Sequence, residues 1–171
     1  MIAGLLPRSR SRNVAYTIML AALAVALSPI SIPIGIAKIS PTQHMVNVLA
    51  SVLIGPWWGL ACAAITSAVR LMLGLGTPLA FPGSMIGVLI AGLTYQRPPD
   101  IRIAALGEAL GTGVLGALAG ALLVAPYIMG KELALGGLML PFALSAGVGA
   151  LLGLAALGVL RRAGLLDEPR R

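Results

Sequence analysis

The sequence predicts an all-α membrane protein, a bundle of six transmembrane helices with both termini in the cytoplasm. Composition is the first reason: 10% of the 171 residues are charged, 58% are apolar, and the mean hydropathy is +0.99. A soluble domain would carry about 25% charged residues. Six apolar segments with short connections are the second reason, because a span needs roughly 20 apolar residues. The third is that most basic residues lie at the ends of these segments.

The six spans are predicted within one integral membrane domain that covers residues 1–171. They lie at about 14–34, 43–55, 57–75, 80–95, 103–127 and 137–161. The second span is short, since a helix of this length rises only about 20 Å and the hydrocarbon core is roughly 30 Å thick. We expect it to tilt against partner helices or to join a segment that dips into the membrane.

The distribution of lysine and arginine predicts the orientation in a cell membrane. With a cytoplasmic N-terminus, nine of the twelve basic residues face inward. They are Arg8, Arg10, Arg12, Arg97, Arg102, Arg161, Arg162, Arg170 and Arg171. The external side keeps Lys38 and Lys131, and Arg70 falls inside a span.

Several function classes are disfavoured by what the sequence lacks. The net charge of +7 does not indicate a nucleic-acid partner, because the basic residues do not alternate with aromatic residues on one face. Cys62 is the single cysteine, which excludes an intrachain disulfide and a multi-cysteine metal site. The sequence also contains no phosphate-binding loop, zinc-protease motif or nucleophile elbow. We therefore predict no enzyme activity, no metal and no cofactor, with any ATP use left to partner proteins.

Small residues recur at a spacing of four, which lets helix backbones approach closely in lipid. The pairs are Ala22 and Ala26, Gly107 and Gly111, Gly116 and Gly120, Ala146 and Ala150, and Gly149 and Gly153. Most are expected to hold the bundle together. The Ala22 and Ala26 pair on the first span either packs internally or faces a separate membrane partner.

Two connections rich in proline and glycine are predicted to be irregular, external and partly inside the bundle. The first contains Pro29, Pro33, Gly35 and Pro41, and the second runs over residues 74–84. Non-helical backbone at membrane depth is tolerated only where it packs on protein or lines a cavity. These loops therefore predict a small polar cavity in the outer half of the bundle.

Polar side chains from three segments converge on the predicted cavity. Gln43, His44 and Asn47 share one face of the second span. Thr66, Ser67 and Arg70 form a similar stripe on the third span, and Ser84 follows the second loop. Arg70 lies about 20 Å along its helix from Trp57, which brings both stripes to the same depth.

Each charged or titratable member of this group also has a structural alternative. Arg70 could extend to the outer interface, and His44 could cap a helix or bond a carbonyl group. Glu108 in the fifth span could relay protons, anchor a neighbouring helix or face the interface near Arg97 or Arg102. The structural role is favoured for Glu108, whose predicted depth separates it from the outer cavity.

Five segments of the chain resemble the ThiW-type substrate-binding (S) subunits of energy-coupling-factor (ECF) vitamin transporters. The resemblance is most specific between Pro41 and Gly92. It rests on Pro41-Thr42-Gln43-His44-Met45-Val46-Asn47-Val48-Leu49-Ala50, Gly55-Pro56-Trp57-Trp58, Thr66-Ser67 with Arg70, Gly74-Leu75-Gly76-Thr77 and Phe81-Pro82-Gly83-Ser84-Met85-Ile86-Gly87.

The resemblance implies a six-helix subunit that captures a vitamin precursor from outside in a pocket closed by external loops. Such a subunit works with a coupling membrane subunit and two ATPases. The ThiW type is associated with hydroxyethylthiazole, a small thiamin precursor. An alanine-spaced patch on the first helix contacts the coupling subunit in this superfamily, which favours an interface role for Ala22 and Ala26.

The predicted substrate-binding residues suit such a ligand. They are Gln43, His44, Asn47, Thr66, Ser67, Arg70, Phe81 and Ser84, with Met45 and Met85 as further apolar surface. Arg70 would repel a cation such as thiamin, tolerates a neutral thiazole and favours a phosphorylated or carboxylated ligand. Its alternative role is to hold a lid loop by bonding the loop's carbonyl groups. Alternatives are an S subunit for another vitamin such as thiamin, a membrane-embedded enzyme that uses His44 and Arg70 on a lipid phosphate, and a scaffolding subunit without a ligand.

Overall fold

The computed structural model describes residues 9–34 and 37–166, which form six helices and a two-stranded antiparallel sheet. Predictions about Arg8, Gly35, Arg170 and Arg171 lie outside these residues. The elements are α1 (Arg10–Ala26), β1 (Ile32–Ile34), β2 (Ala37–Ile39), α2 (Pro41–Leu53), α3 (Gly55–Met72), α4 (Ala80–Tyr95), α5 (Ile101–Met129) and α6 (Leu135–Arg162).

Helices α2 to α6 begin and end within three residues of the apolar segments expected from the sequence. Two of them, α5 and α6, are long and apolar enough to cross a membrane, and α4 is a shorter apolar helix. Many large apolar side chains on the outside of α5 and α6 are exposed, among them Leu110, Leu122 and Leu151. An apolar outer surface of this kind is typical of contact with lipid.

The prediction of an all-α fold missed the hairpin of β1 and β2, and the first apolar segment was predicted too long. Helix α1 ends at Ala26 rather than near residue 34, and Ile32 pairs with Ile39 in the hairpin. Pro29 and Pro33 cannot donate backbone hydrogen bonds, and each pushes the residue before it out of helical geometry. Hydrophobicity continued past Ala26, but helical geometry did not.

The second loop is also shorter than predicted. Residues 80–84 were expected to be irregular, but α4 begins at Ala80 and includes Pro82 in its first turn. Proline is tolerated in the first turn of a helix because the N–H groups there have no partner within the helix. The irregular part is the stretch 73–79, where Leu79 is fully buried.

Helix α2 lies at the centre of the bundle, where it packs on α3, α4 and α6. Nearly every residue from Thr42 to Ser51 is buried, polar ones included. Its neighbour α6 comes close because it presents glycines: a Cβ atom at Gly149 would lie 2.5 Å from Cβ of His44, and one at Gly153 would lie 2.7 Å from Cβ of Val48. The short second span is therefore a core helix surrounded by protein.

Four of the five small-residue pairs are buried inside the bundle, as expected for internal packing. Between α4 and α5, a Cβ atom at Gly111 would lie 2.9 Å from Cα of Gly87, and one at Gly116 would lie 2.6 Å from Cα of Gly83. The exception is the Ala22 and Ala26 pair, whose side chains are exposed on α1. Ala21 and Ala24 are buried in the bundle instead. The alternative in which Ala22 and Ala26 pack internally is therefore wrong.

Candidate functional site

A cavity opens between the first turns of α2 and α4, the last turn of α3, the hairpin and the loop 73–79. The space between its walls is about 460 Å³, including the part open to solvent. Its lining residues are Lys38, Ser40, Gln43, His44, Arg70, Gly76, Thr77, Leu79, Ala80, Gly83, Ser84, Thr112, Phe142 and Ser145.

The floor of the cavity is a buried polar network of five side chains: His44, Asn47, Ser84, Glu108 and Thr112. Nδ1 of His44 lies 2.7 Å from Oε1 of Glu108, and Nδ2 of Asn47 lies 2.9 Å from the same oxygen. Asn47 also pairs with Ser84, with Nδ2 3.0 Å from Oγ. The hydroxyl of Thr112 lies 3.1 Å from Oε1 of Glu108 and 2.9 Å from the carbonyl oxygen of Gly83.

The prediction that Glu108 lies at a different depth from the cavity is wrong. Leu53 at the end of α2 and Ile101 at the start of α5 pack on the same apolar cluster. From that level His44 is nine residues back along α2, about 14 Å, and Glu108 is seven residues along α5, about 11 Å. Because α2 is short, its polar first turns lie deep in the bundle, level with the acid.

Glycine at position 87 makes room for the Glu108 carboxyl group. A Cβ atom there would lie 2.7 Å from Oε2 of Glu108 and would also meet the hydroxyl of Thr112. Glu108 is completely buried, and Oε2 has no hydrogen-bond partner among the described residues. The wider, π-type turns of α5 begin at Gly111 and carry Thr112 toward the cavity. Such turns often occur at functional sites.

The contact with Glu108 fixes the orientation of the His44 ring. An ionised carboxylate only accepts hydrogen bonds, so the shared proton then lies on Nδ1. Nε2 makes no hydrogen bond within the described ranges, although His44 lines the cavity. The floor therefore presents one ring nitrogen, held from behind, to any molecule in the cavity.

The roof of the cavity consists of Lys38, Ser40, Arg70 and the loop 73–79. Arg70 is only 2% exposed, and its Nη2 donates to Oγ of Ser40 at 2.7 Å. Its backbone carbonyl accepts hydrogen bonds from the amides of Leu75 and Gly76 at 2.8 and 3.0 Å. Nζ of Lys38 donates to the carbonyl oxygen of Gly74 at 3.3 Å. The last turn of α3 and the hairpin thus hold the loop over the cavity.

Arg70 lacks a compensating acid in the part of the chain that the structure describes. The buried acid described there, Glu108, contacts His44 instead. Nε of Arg70 is buried and has no hydrogen-bond partner in that part. A buried guanidinium group with one hydrogen bond from its five N–H donors is poorly compensated.

The structure brings together some of the predicted binding residues and not others. Gln43, His44, Arg70 and Ser84 line the cavity, whereas Asn47 lies in the floor network. Ser67 is behind the wall, where its Oγ lies 3.2 Å from Nε2 of Gln43. Thr66 is buried away from the cavity, and the half-buried Phe81 does not line it.

Several lining residues were missed by sequence reasoning. Phe142 supplies the aromatic surface that was assigned to Phe81, and Ser145 accepts a hydrogen bond from the Ser40 amide at 2.6 Å. Both lie on α6, where the sequence shows only a hydrophobic segment. Thr112 had a usable signal, because it is four residues after Glu108 and shares its helix face.

A protein-family model for the thiamine-precursor transporter protein (ThiW) matches residues 14–163. The chain belongs to this family. The resemblance noted between Pro41 and Gly92 is thereby confirmed, and a ThiW protein is a transporter, not an enzyme. The alternative prediction of a membrane-embedded enzyme is therefore wrong.

The fold agrees with this membership. A solved structure, described as the structure and mechanism of the S component of a bacterial ECF transporter, superposes with a TM-score of 0.73. The match covers 94% of this chain and 100% of that chain, at 16% sequence identity. The chain therefore has the fold of an S component. A comparison with curated proteins finds no match.

Proposed function

We propose that this ThiW-family chain is the substrate-capturing membrane subunit of an ATP-driven ECF importer, and that its cavity binds a small thiazole-like thiamin precursor. The family match over residues 14–163 is the observation that supports the transport role. The absence of a phosphate-binding loop in the sequence is consistent with ATPase partners. The cavity is the natural place for the substrate.

The chemistry of the cavity suits a small heterocycle with a hydroxyl group. Leu79 and Phe142 provide apolar and aromatic surface for a planar ring. Nε2 of His44 can accept a hydrogen bond from a hydroxyl group, and the Gln43 side chain is nearby in the wall. Arg70 and Lys38 oppose a permanently cationic thiazolium, which favours a thiazole over thiamin itself.

The orientation of the protein in the membrane is part of the same proposal. The cavity lies at the end of the bundle that carries the hairpin and the last turn of α3. The basic residues Arg97, Arg102, Arg161 and Arg162 fall in or beside the α4–α5 connection and the end of α6. With these residues and both termini in the cytoplasm, six membrane-spanning helices open the cavity to the outside.

The substrate assignment is tested by thermal unfolding of the purified protein in a neutral detergent. We expect micromolar hydroxyethylthiazole to raise the unfolding temperature and thiamin to raise it less, because a ligand that binds only the folded state stabilises it. His44→Ala should lose this stabilisation. Ser51→Ala is the matched control, since Ser51 is buried on the same helix and its hydroxyl bonds only the Val48 carbonyl.

The outcomes separate the remaining alternatives. Greater stabilisation by thiamin would reassign the subunit to thiamin, and no response to either compound would overturn the thiazole assignment. Mass spectrometry of protein purified without added substrate would then identify a bound compound. A cavity that stays empty of every solute would favour the scaffolding subunit.

The exposed pair on α1 is proposed as the contact with the coupling subunit. Ala22 and Ala26 lie on the outward face of α1, where small side chains permit close approach of another helix.

Ala22→Trp should abolish uptake in cells that contain the coupling subunit and both ATPases, while the purified variant still binds substrate. Leu110→Trp, at an exposed position on α5, is the control. Normal uptake by Ala22→Trp would remove this face from the coupling role.

A further inference from the structure

We propose that the roof of the cavity contains an anion subsite centred on Arg70, and that the imported thiazole carries an acidic group, a carboxylate or a phosphate monoester, that binds there. This inference rests on the proposed function and makes its substrate class more specific. It concerns Arg70 of α3 together with Ser40, Lys38 and the loop 73–79.

The unmet bonding capacity of Arg70 is the first argument. The side chain lines the cavity but is only 2% exposed, so little of it is in contact with water. One N–H donor is used, by Oγ of Ser40, and Nε is buried without a partner among the described residues. A buried charge normally has a partner that neutralises it. An oxyanion in the cavity would be that partner, and guanidinium groups bind carboxylates and phosphates through two parallel hydrogen bonds.

The separation of charge within the cavity is the second argument. The buried acid of the site, Glu108, is in the floor and already paired with His44 at 2.7 Å. The roof has two cations, Arg70 and Lys38, and none of the described residues that line the cavity is acidic. The cations of the site are therefore in its roof and the paired acid is in its floor, so a ligand with an acidic group at one end has a defined orientation.

The other polar residues around Arg70 also support an anion subsite. Ser40 and Thr77 line the cavity with hydroxyl groups, which donate hydrogen bonds to oxyanions as readily as they accept them. Nζ of Lys38 donates one hydrogen bond among the described residues, to the Gly74 carbonyl at 3.3 Å, and keeps donors for a second acceptor. An acidic group bound at Arg70 would thus be adjacent to the loop that closes the cavity.

A purely structural Arg70 predicts a different result. If the task of its side chain were to hold Ser40, Arg70→Met would destabilise the empty protein. If the guanidinium group is neutralised only by a ligand, Arg70→Met should unfold at the same or a higher temperature in the absence of ligand. The reason is that methionine replaces an uncompensated buried charge with an apolar side chain. Thermal unfolding of the two proteins without ligand makes this distinction before any ligand is added.

The binding test compares three compounds by isothermal titration calorimetry: hydroxyethylthiazole, its phosphate monoester, and the analogue in which a carboxymethyl group replaces the hydroxyethyl group. A phosphate-free detergent without added phospholipid keeps lipid phosphate out of the site. We expect at least one anion to bind the wild-type protein ten-fold or more tightly than the neutral alcohol. Arg70→Met should bring that ratio close to one, and Arg70→Lys should keep part of it. Arg102→Met, which removes an exposed arginine from the first turn of α5, should keep all of it.

Two results would overturn the subsite: equal affinities for the alcohol and both anions, or an anion preference that survives in Arg70→Met. If no thiazole binds, the proposed function fails separately, and inorganic phosphate and acetate then test the subsite alone. Stabilisation of the wild-type protein by either ion, lost in Arg70→Met and partly kept in Arg70→Lys, would support the subsite. Stabilisation that does not depend on Arg70 would exclude it.

Discussion

The floor and the roof of the cavity are built in opposite ways. The floor joins side chains of α2, α4 and α5 through short hydrogen bonds, and Oε1 of Glu108 is shared by three donors. In the roof, the side chains of Arg70 and Lys38 make one hydrogen bond each, to Ser40 and to the Gly74 carbonyl. The hydrogen bonds of the floor are already made in the empty protein, whereas the unused donors of the roof gain partners only when a ligand enters. The floor therefore belongs to the fold, and the roof is the part that a ligand completes.

Removal of the shared acceptor in the floor should produce the largest effect. Glu108→Ala leaves His44, Asn47 and Thr112 buried without it, and loss of one partner of a buried charge pair costs about 3–5 kcal/mol. We expect a decrease of that size in the free energy of unfolding, measured by denaturant titration in detergent. Glu132→Ala removes an exposed acid and should change the stability by less than about 0.5 kcal/mol. Equal stability of the two variants would show that the floor is not a stabilising unit.

Crowding of the floor without loss of a polar group should have an intermediate effect. Gly87→Ala places a methyl group against Glu108 and Thr112, and overpacking of a tight core costs about 1–3 kcal/mol. Gly147→Ala is the matched control, because no atom lies within 4 Å of a Cβ at that position of α6. The control should be neutral or slightly stabilising, since alanine has a higher helix propensity than glycine. Circular dichroism during thermal unfolding would measure both variants.

The same variant tests whether the floor orients His44. If displacement of Glu108 turns the imidazole ring, Gly87→Ala should also weaken substrate binding, although residue 87 does not line the cavity. Unchanged affinity together with lower stability would mean that the ring keeps its position when the carboxyl group moves.

Much of the fold was predictable because it follows from local chemistry. Helix α4 runs from Ala80 to Tyr95, the same residues as the predicted apolar segment, because a loop with two glycines and a proline precedes it and the Arg97-Pro98 pair follows it. The end of α1 was not found, since the residues after Ala26 remain apolar while Pro29 and Pro33 prevent a helix. Hydrophobicity reports burial or contact with lipid, but backbone geometry decides where a helix stops.

The site was predicted unevenly for a related reason. Residues on one helix face, such as Gln43, His44 and Asn47, are grouped by helical spacing alone. The partner of His44 is on α5, 64 residues away, and their contact depends on how deeply the short α2 is set in the bundle. Depth follows from tertiary packing, here from Gly149 and Gly153 of α6. Phe142 and Ser145 were missed because an apolar helix gives no sign of which face meets the cavity.

The smallest effect is expected in the roof, at Lys38. Its hydrogen bond to the Gly74 carbonyl is long and exposed, so Lys38→Met should change the free energy of unfolding by less than about 0.5 kcal/mol. The charge should matter once an anionic ligand is bound, because partly exposed ion pairs contribute about 0.2–1 kcal/mol. That range predicts up to about five-fold weaker binding of the acidic thiazole and little change for the neutral alcohol. Calorimetry against Lys131→Met, an exposed lysine before α6, provides the control. A loss of more than about 1 kcal/mol in the free energy of unfolding of Lys38→Met would show that the hairpin contact stabilises the empty protein. The roof would then resemble the floor.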